Sequence, residues 1–397
     1  MSHTMQERLD MINGSTGGRT LSRLLRLAAC LLLIAMVLPL ASCGDTEPPP
    51  AFSDEQQQTM QAMVEAAMTQ QGVPGAVVGV WVPGQGEWIA ALGEADIETG
   101  RAIAGDDKAR IASNTKTFTA TLILLLADEG LLDLDDPLQK YIQDVPYGNE
   151  ITIRQLLNMT AGIYSFSEDE TFLEEFTADP LMEMTPQESL DIALSHPPDF
   201  PPGQGWHYSD TNYEILGIIV EQVSGATIEE EMERRIIAPL GLTSTSFPTT
   251  PDMPEGHASG YVLGDDGLLE DYTRVSPSVP WAGGAMISNL EDLRVWAKAL
   301  ATGELLSDEM HREQLDWVDI PELENVEGKY GLGIMSLEGF QGHNGAIFGY
   351  NSTVMYLPEA DATIVAIANK STNSSQESML IFIGLAKLLF PERFPAL

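Results

Sequence analysis

Basic side chains are scarce in this 397-residue sequence. Lysine and arginine together number 20 against 59 aspartates and glutamates, which gives a formal net charge of −39 at pH 7. A surface with so few cations would repel phosphate backbones, so no nucleic-acid partner is predicted. The acidity itself is typical of a well-solvated surface and says little about any reaction.

Cysteine is almost absent as well. Cys30 and Cys43 are the two cysteines, and residues 44–397 contain none. A disulfide framework and a cysteine-ligated zinc site are therefore excluded for that part of the sequence. The sequence also lacks a convincing internal repeat. Its 44% hydrophobic content is ample for a packed core.

An apolar run near the N-terminus is too short to span a bilayer comfortably. Arginines precede this run, which covers residues 27–40. Positive residues followed by a short apolar stretch are typical of a secretory signal. The run ends in LASCG (40–44), which resembles a bacterial lipobox, so we expect Cys43 to be lipidated and to become the mature N-terminus. The alternative is ordinary cleavage near Ala41, with the cysteine incidental.

These features predict the organisation of the chain. Residues 1–43 are expected to be a signal peptide with a lipobox, residues 44–52 a proline-rich linker, and residues 53–397 the folded domain. The predicted location is the periplasmic or extracellular face of a bacterial membrane. The lipid anchor would be the protein's contact with that membrane.

Strand-like runs occur near both ends of the folded domain, with helical patterns between them. Residues 75–83 and 87–93 form a predicted hairpin, and residues 330–368 are again β-rich. Helices are predicted at about 53–69, 111–130, 152–159, 213–224, 228–237, 290–300 and 377–389. Because strands and helices do not alternate along the chain, the pattern indicates an α+β fold and not a doubly wound parallel sheet.

The order of these segments predicts two parts within the domain. One sheet would be built from residues of about 53–112 and 275–397, the two ends of the domain. Residues of about 113–274 would form a mainly helical lobe against that sheet. We expect any functional cleft to lie where the lobe meets the sheet.

Ser113 and Lys116 form the first pair that could carry out chemistry. They stand three positions apart at the start of an apolar helical stretch, so both side chains are expected on one helix face. A serine hydroxyl is a poor nucleophile unless a base accepts its proton, and a lysine in an apolar cleft can assist. Alone, the pattern is weak, because a surface serine near a solvent-reaching lysine gives the same letters.

Two further segments hold candidate site residues. In Tyr208-Ser209-Asp210, a tyrosine close to a cation could ionise and act as a proton shuttle. In GHNGA (342–346), expected as a turn before a strand, a backbone N–H could complete an oxyanion hole with that of Ser113. Each segment also has an ordinary structural interpretation, as a tyrosine packed at a helix entrance and a histidine in a glycine turn.

The three segments, in this order, together resemble the serine β-lactamase and penicillin-binding protein family. The similarity is greatest to the branch of class C β-lactamases, secreted DD-carboxypeptidases and related esterases. It is supported by GLLDLDDPLQKYI (130–142), ITIRQLLNMTAGI (151–163), PPGQGWHYSDTNYEILG (201–217), WAGGAMISNLEDL (281–293) and YGLGIMSLEGFQGHNGAIFGYNS (330–352). The resemblance implies a β-lactamase/DD-peptidase-like α+β fold, with an antiparallel sheet flanked by helices and a mainly helical lobe.

The resemblance also implies roles for individual residues. Ser113 would be the acylated nucleophile, Lys116 its activating partner, and Tyr208 the general base that later protonates the leaving group. The backbone amides of Ser113 and Ala346 would hold the oxyanion, water would resolve the acyl-enzyme, and neither a metal nor a cofactor would be needed. The substrate-binding and oxyanion residues are expected to be Asp210, His343, Asn344, Gly345 and Ala346.

Some positions depart from the commoner family pattern. Asp210 stands where asparagine is commoner, and an ionised carboxylate cannot donate to a substrate amide carbonyl, although it could pair with the site lysine instead. His343 stands where many members have lysine, although histidine occurs in some. Asn344 and Ala346 lack hydroxyls that help many DD-peptidases bind a substrate carboxylate. Lys329 could supply a cation in their place.

The expected protein is an exported serine hydrolase that acts through an acyl-enzyme, foremost a D-alanyl-D-alanine carboxypeptidase-like, penicillin-binding hydrolase. A carboxylesterase or a β-lactamase on the same scaffold is the alternative. A lipid-anchored penicillin-binding module without turnover is the non-enzymatic alternative. The expected substrate is a small molecule or peptide, namely an acyl-D-amino acid, an ester or a β-lactam. Asp210 favours short acyl esters over β-lactams.

Replacing the lipobox cysteine tests the predicted anchor. In a bacterial host that processes lipoproteins, the wild-type protein should fractionate with membranes, because an acylated Cys43 partitions into the bilayer. Cys43→Ser should move the protein to the soluble fraction. Identical fractionation of the two forms would contradict the lipobox interpretation.

Overall fold

The computed structural model describes residues 51–321, 326–371 and 376–394. The predicted signal peptide, the lipobox with Cys43, and nearly all of the linker lie outside these residues, so they stay predictions. No helix within the described ranges is long and apolar enough to cross a membrane.

Thirteen strands lie in the described ranges, nine of them in one antiparallel sheet with the order β3-β2-β1-β13-β12-β11-β10-β9-β8. The other four form two small ladders, β4 with β7 and β5 with β6. The strands are β1 (Gly75–Val82), β2 (Gly86–Asp96), β3 (Arg101–Ala102), β4 (Ala109–Arg110), β5 (Tyr261–Leu263), β6 (Leu269–Asp271), β7 (Ile287–Ser288), β8 (Val318–Asp319), β9 (Gly328–Tyr330), β10 (Met335–Leu337), β11 (Phe340–Ile347), β12 (Tyr350–Leu357) and β13 (Ala362–Ala368).

Twelve α-helices occur in the same ranges. They are α1 (Asp54–Gln71), α2 (Thr115–Asp128), α3 (Ile153–Leu157), α4 (Glu170–Ala178), α5 (Pro186–Leu194), α6 (Asp210–Ser224), α7 (Ile228–Met232), α8 (Ala238–Leu240), α9 (Trp281–Gly284), α10 (Leu290–Thr302), α11 (Asp308–Gln314) and α12 (Glu377–Leu389). A π-helical segment, Glu233–Ile237, joins α7 to α8. Short 3₁₀ turns cover Ala112–Asn114, Leu138–Lys140, Phe166–Glu168, Pro358–Ala360 and Pro391–Arg393.

The two ends of the domain meet in the centre of the sheet, as expected. Strand β1 pairs with β2 in the predicted hairpin and with β13 from the C-terminal part. Every residue of β1, β12 and β13 is buried, which requires cover on both faces of the sheet. Helices α10 and α12 pack against β12 and β13, with α1 beside α12. The α+β class with an antiparallel sheet is confirmed.

Capping interactions fix several helix starts. The helix predicted at about 53–69 is present as α1, and it begins with a capping box in which Ser53 and Gln56 exchange side-chain and backbone hydrogen bonds. Gly225 and Gly241 follow the last residues of α6 and α8, and both adopt the left-handed conformation that ends a helix. The prediction missed α4, α5, α8, α9 and α11, and it placed no strands in the stretch that contains the β5–β6 hairpin.

Helix α2 is the element that positions the site. Eleven of its fourteen residues are buried, and it packs against α6, α7 and α9. Phe118 stacks on Trp296 of α10 at a centroid distance of 3.9 Å, and Trp296 Nε1 donates to Thr117 Oγ1 over 2.8 Å. These contacts tie the start of α2 to the helix that covers the sheet.

Candidate active site

Ser113 lies in the 3₁₀ turn between strand β4 and helix α2. We expected it on the helix with Lys116, but the turn precedes the helix and Lys116 is the second residue of α2. Ala112 has a φ of 48°, a left-handed conformation that costs a residue with a Cβ about 1–2 kcal/mol. Such a turn must be held by its surroundings. Ser113 itself is only half-buried.

Hydrogen bonds to strand β12 hold this turn. Asn114 Nδ2 donates to Ser352 Oγ over 2.8 Å, and Ser352 Oγ donates to the carbonyl of Ile111 over 2.8 Å. All three groups are buried, where an unsatisfied polar atom would be costly. The bonds therefore stabilise the strained conformation and fix Ser113 relative to the sheet.

The Lys116 ammonium is buried and donates three hydrogen bonds. Its Nζ lies 3.1 Å from Ser113 Oγ, 2.6 Å from Asp210 Oδ1 and 2.9 Å from the carbonyl oxygen of Gly283. An ammonium has three donors and no acceptor, so each of its protons is committed. In this state Lys116 cannot take the Ser113 proton. It orients the hydroxyl instead.

Asp210, the first residue of α6, pairs with Lys116, as the sequence allowed. Its carboxylate also accepts from Ser167 Oγ over 2.6 Å, and its backbone N–H donates to Ser165 Oγ over 3.0 Å. Burial favours the protonated carboxyl, but the Lys116 ammonium and the Ser167 hydroxyl hold the pKa of Asp210 below its usual value. Asp210 is therefore an anion.

Burial and neighbouring charges shift the pKa values of Lys116 and Tyr208 in opposite directions. Burial alone would lower the pKa of Lys116, but the Asp210 carboxylate raises it above its usual value. Burial raises the pKa of Tyr208, and attraction by the Lys116 ammonium offsets this only in part. The nearby cation does favour ionisation of Tyr208, as expected, but burial outweighs this effect in the resting site, so the pKa of Tyr208 lies above its usual value. Tyr208 is a neutral phenol beside an ion pair.

Tyr208 is nevertheless in place to move a proton. Lys116 Nζ lies 5.0 Å from the centroid of its ring, within the range of a cation–π contact. Its hydroxyl interacts with the side chains of Lys116 and Ser113. The neighbouring Tyr213 ring is 5.5 Å from the same ammonium, but its hydroxyl donates to the carbonyl of Leu157 over 3.1 Å.

The GHNGA segment lies within strand β11 and not in a turn before a strand, which corrects the prediction. β11 runs beside the turn that carries Ser113. A Cβ on Gly345 would lie 2.3 Å from Ile111 O and 2.8 Å from Ser113 N, so a residue without a side chain is required. Ser113 and Ala346, whose backbone amides are the predicted oxyanion pair, line one cavity together with Asn344 and Gly345.

His343 does not take the place expected of a substrate-binding residue. It is 2% exposed and is not among the residues that line the cavity. Its Nδ1 donates to the carbonyl of Asn344, and its Nε2 accepts from the Tyr330 hydroxyl over 2.9 Å. Burial lowers the pKa of His343 to about 4, so the ring is neutral. The centroid of its ring lies 6.2 Å from that of the Tyr208 ring.

The cavity beside Ser113 has a volume of about 560 Å³. Its apolar side comes from α4 and the 3₁₀ turn before it, namely Phe166, Phe172, Leu173 and Phe176. Phe166 lies 5.2 Å from Phe172, which stacks 5.7 Å from Phe176. A second cavity of about 450 Å³ lies between the β1–β2 turn and α10 and contains none of the predicted site residues.

Sequence reasoning missed the polar residues Ser165, Ser167, Glu168 and Glu214. The first three belong to a segment in which no helix or strand was predicted. Glu214 is 1% exposed on α6, one turn after Asp210, and neither carboxyl oxygen has a hydrogen-bond partner. Burial and the Asp210 charge raise its pKa well above the usual 4.5. The sequence signal that could have identified Glu214 is a single glutamate among apolar residues of a predicted helix.

Lys329 does not supply the cation that we considered for substrate binding. It pairs with Glu327 and lies outside the cavity lining. In the part of the chain that the structure describes, no group of three or more His, Cys, Asp or Glu side chains is arranged to hold a metal ion.

A serine hydroxyl, a buried ammonium and a phenol, placed where the sheet meets the helices packed against it, are typical of serine hydrolases that form an acyl-enzyme. The family model described as Beta-lactamase matches residues 60–387. The chain therefore belongs to the β-lactamase family of serine hydrolases, and the resemblance stated from its motifs is confirmed.

Known proteins from bacteria are similar to this chain. It is 26% identical to the penicillin-binding protein PbpX of Bacillus subtilis (strain 168) over 269 residues, covering 66% of this chain and 62% of that protein. The chain thus spans less than two thirds of that relative's length.

Two solved structures are also similar. The D-stereospecific amidohydrolase from Streptomyces sp. is 35% identical with a TM-score of 0.73, covering 81% of this chain and 97% of that one. The D-amino acid amidase from Ochrobactrum anthropi SV3, solved with L-phenylalanine, is 26% identical with a TM-score of 0.74, covering 85% and 98%.

The approach of β11 to the nucleophile's turn can be tested with Gly345→Ala. The added methyl should push the strand away from Ser113, and overpacking of this kind costs about 1–3 kcal/mol. We expect the rate of covalent labelling by a fluorophosphonate probe to fall at least about tenfold. Gly105→Ala is the matched control, since a Cβ there meets no atom closer than 4.0 Å. Equal labelling rates and melting temperatures for wild type and Gly345→Ala would contradict this account.

The buried carboxyl of Glu214 should make stability depend on pH. Because its pKa is raised in the folded state, its stabilising contribution is complete below the usual 4.5 and is lost as pH rises through the raised value. Glu214→Gln keeps the shape but cannot ionise. The melting temperature of this variant, relative to wild type, should therefore increase between pH 5 and pH 8. Glu233→Gln, at an exposed position, is the control, and a pH-independent difference for Glu214→Gln would refute the assignment.

Proposed function

We propose that this protein is an exported serine amidohydrolase that cleaves amides or short peptides at a D-amino-acid residue through an acyl-enzyme on Ser113. The observation that carries the proposal is the set of contacts around one buried ammonium. Lys116 holds Ser113 Oγ at 3.1 Å beside the Tyr208 hydroxyl, at the mouth of a cavity large enough for a small substrate. D-Alanyl-D-alanine carboxypeptidase activity belongs to this class of reactions.

The acylation step follows from which groups hold protons in the resting site. Ser113 Oγ attacks the carbonyl carbon, and its proton passes to the oxygen of Tyr208 as the phenolic proton passes to the leaving nitrogen. Lys116 keeps all three protons throughout and holds the Ser113 hydroxyl in position. The C–N bond breaks, the amine leaves, and an ester joins the acyl group to Ser113.

Deacylation uses the same relay in the opposite direction. Water attacks the ester carbonyl and gives one proton to the Tyr208 oxygen, whose own proton returns to Ser113 Oγ. In both steps the negative charge on the carbonyl oxygen would be held by the backbone N–H groups of Ser113 and Ala346, which border the same cavity.

The amide preference is supported by similarity to the Streptomyces amidohydrolase at 35% identity, and by the Ochrobactrum amidase. Hydrolysis of small acyl esters is the second candidate, and Asp210 is the observation that favours it. Its carboxylate cannot donate to a substrate amide carbonyl, a bond that asparagine could supply. An ester needs less help of this kind because its leaving group departs more easily.

Export is proposed from the N-terminal pattern alone. The charged and apolar segment before residue 41 and the small residues around Cys43 support secretion with a lipid anchor. The Pro-rich stretch after it would hold the enzyme close to the membrane surface.

A substrate panel tests the proposed reaction. D-Phenylalanine amide, its L enantiomer, a D-alanyl-D-alanine peptide, p-nitrophenyl butyrate and nitrocefin would be compared by kcat/KM. We expect the D-amide or the D-alanyl peptide to exceed nitrocefin, and Ser113→Ala to lower every rate by about 10³-fold or more. Tyr208→Phe should lower kcat, whereas Tyr213→Phe, whose hydroxyl serves a backbone carbonyl, should not.

Each alternative has its own outcome in this panel. A preference for the ester over both amides would favour the esterase, and the highest kcat/KM for nitrocefin would favour a β-lactamase. A stable acyl adduct in the intact mass, with no product released, would identify a binding module without turnover. Full activity of Ser113→Ala would remove that residue from the reaction.

A further inference from the structure

One histidine beside the active-site cavity bridges two carboxylates. His207 Nε2 lies 3.0 Å from Glu168 Oε1, and His207 Nδ1 lies 2.8 Å from Asp199 Oδ2. Ionised carboxylates only accept hydrogen bonds, so both ring nitrogens must carry protons for both bonds to form. A neutral imidazole has a single N–H and can serve one of the two carboxylates. The complete bridge therefore requires the imidazolium.

The bridge joins two segments that border the reacting groups. His207 directly precedes Tyr208, and its backbone N–H donates to the carbonyl of Met159 over 3.1 Å. Glu168 is the last residue of the 3₁₀ turn Phe166–Glu168, and all three residues of this turn line the cavity. The histidine thus connects one wall of the cavity to the segment that carries the proton-transferring phenol.

The same turn also contacts the ion pair of the site. Ser167 Oγ donates to Asp210 Oδ2 over 2.6 Å, and the N–H of Phe166 donates to Thr211 Oγ1 over 2.9 Å. These two bonds hold the turn against the start of α6. The contact of Glu168 with the imidazolium holds its last residue. Release of Glu168 would therefore loosen both the cavity wall and the Ser167 contact.

The Glu168 contact is the one that depends on the second ring proton. The Asp199 side chain is 20% exposed and that of Glu168 is 46% exposed, so water competes more readily for Glu168. Burial alone would lower the pKa of His207, but the two carboxylates raise it above the usual 6.5. The full bridge is therefore present at low pH, and Glu168 is released as pH rises through the raised value.

Other titratable groups surround the turn. His196 Nε2 lies 2.8 Å from Asp169 Oδ2, and the His196 ring stacks on Tyr164 at a centroid distance of 4.0 Å. A neutral ring can serve that one carboxylate with its single N–H. Glu170 is exposed to solvent. Among the described residues around the turn, His207 is therefore the group whose contacts should change most between the cationic and neutral rings.

We infer that His207 is a positioning residue for the reaction at Ser113. Its imidazolium holds the Phe166–Glu168 turn against the segment that carries Tyr208, and the reaction slows when the ring becomes neutral. His207 is not among the residues that line the cavity, so it acts through the turn and not on the substrate. This inference rests on the proposed hydrolase function and adds a pH-dependent support to its active site.

Two variants of the histidine test this role. His207→Arg keeps a cation with donors for both carboxylates at every pH, whereas His207→Gln carries no charge. The measured quantity is the rate at which a fluorophosphonate probe labels Ser113 in the full chain, between about pH 5 and pH 9. Relative to His207→Arg, the wild-type rate should fall about threefold as pH rises through and above 6.5, as expected for a partly exposed charge pair. The rate of His207→Gln should stay low relative to His207→Arg throughout.

Glu168→Gln gives an independent measurement that leaves the histidine intact. It removes a charge that favours the imidazolium, so the fall in rate should move to lower pH. His311→Gln is the matched control, because its ring contacts the carbonyl of Ala301 and does not line the cavity. Its pH profile should equal that of wild type. An unmoved profile in Glu168→Gln, or the same movement in His311→Gln, would contradict the bridge.

Failure of the proposed function gives a different result. A wild-type protein that is labelled with the same pH profile as His207→Arg would overturn the role of His207 and leave the hydrolase function intact. If the wild type is labelled no faster than Ser113→Ala at any pH, the nucleophile is rejected and the positioning role falls with it.

Discussion

The site depends on one buried positive charge. The Lys116 ammonium donates to Ser113 in the 3₁₀ turn, to Asp210 at the start of α6 and to Gly283 in α9. Removing one partner of such a pair leaves a charge without compensation, at a cost of about 3–5 kcal/mol. The three elements must therefore keep their relative positions, and the nucleophile is oriented as a result. The same contacts leave Tyr208 as the group that can accept a proton.

The surrounding structure stabilises several unfavourable features of the site. Ala112 is in a left-handed conformation, and the buried carboxyl of Glu214 has no hydrogen-bond partner. The turn that contains Ala112 is held by a hydrogen bond from strand β12. Glu214 lies on α6, which packs against α2. Proteins commonly place strained or costly groups at functional sites and stabilise them through the rest of the fold. Here the central strands and helix α2 provide that stability.

Features that depend on neighbouring residues were predicted well. The hairpin of β1 and β2 follows from β-rich runs around a glycine-containing turn, and the start of α1 follows from Ser53 and Gln56. Features that depend on contacts between distant parts of the chain were not predicted. The GHNGA segment is polar and rich in glycine, so it was expected as a turn, yet pairing with β12 makes it a strand. Helix α4, which supplies the aromatic wall, was missed although its phenylalanines repeat with helical spacing.

The sequence by itself determined the family, the α+β class and which serine, lysine and tyrosine stand at the site, because these are read from residue types and their spacing. The tertiary structure alone decided the state of those residues. Lys116 and Asp210 are 94 positions apart, and only the fold brings their side chains to 2.6 Å. This approach within a buried site keeps Lys116 protonated beside Tyr208, which stays a neutral phenol. The fold decides these states because a coulombic interaction depends on distance and burial and not on order along the chain.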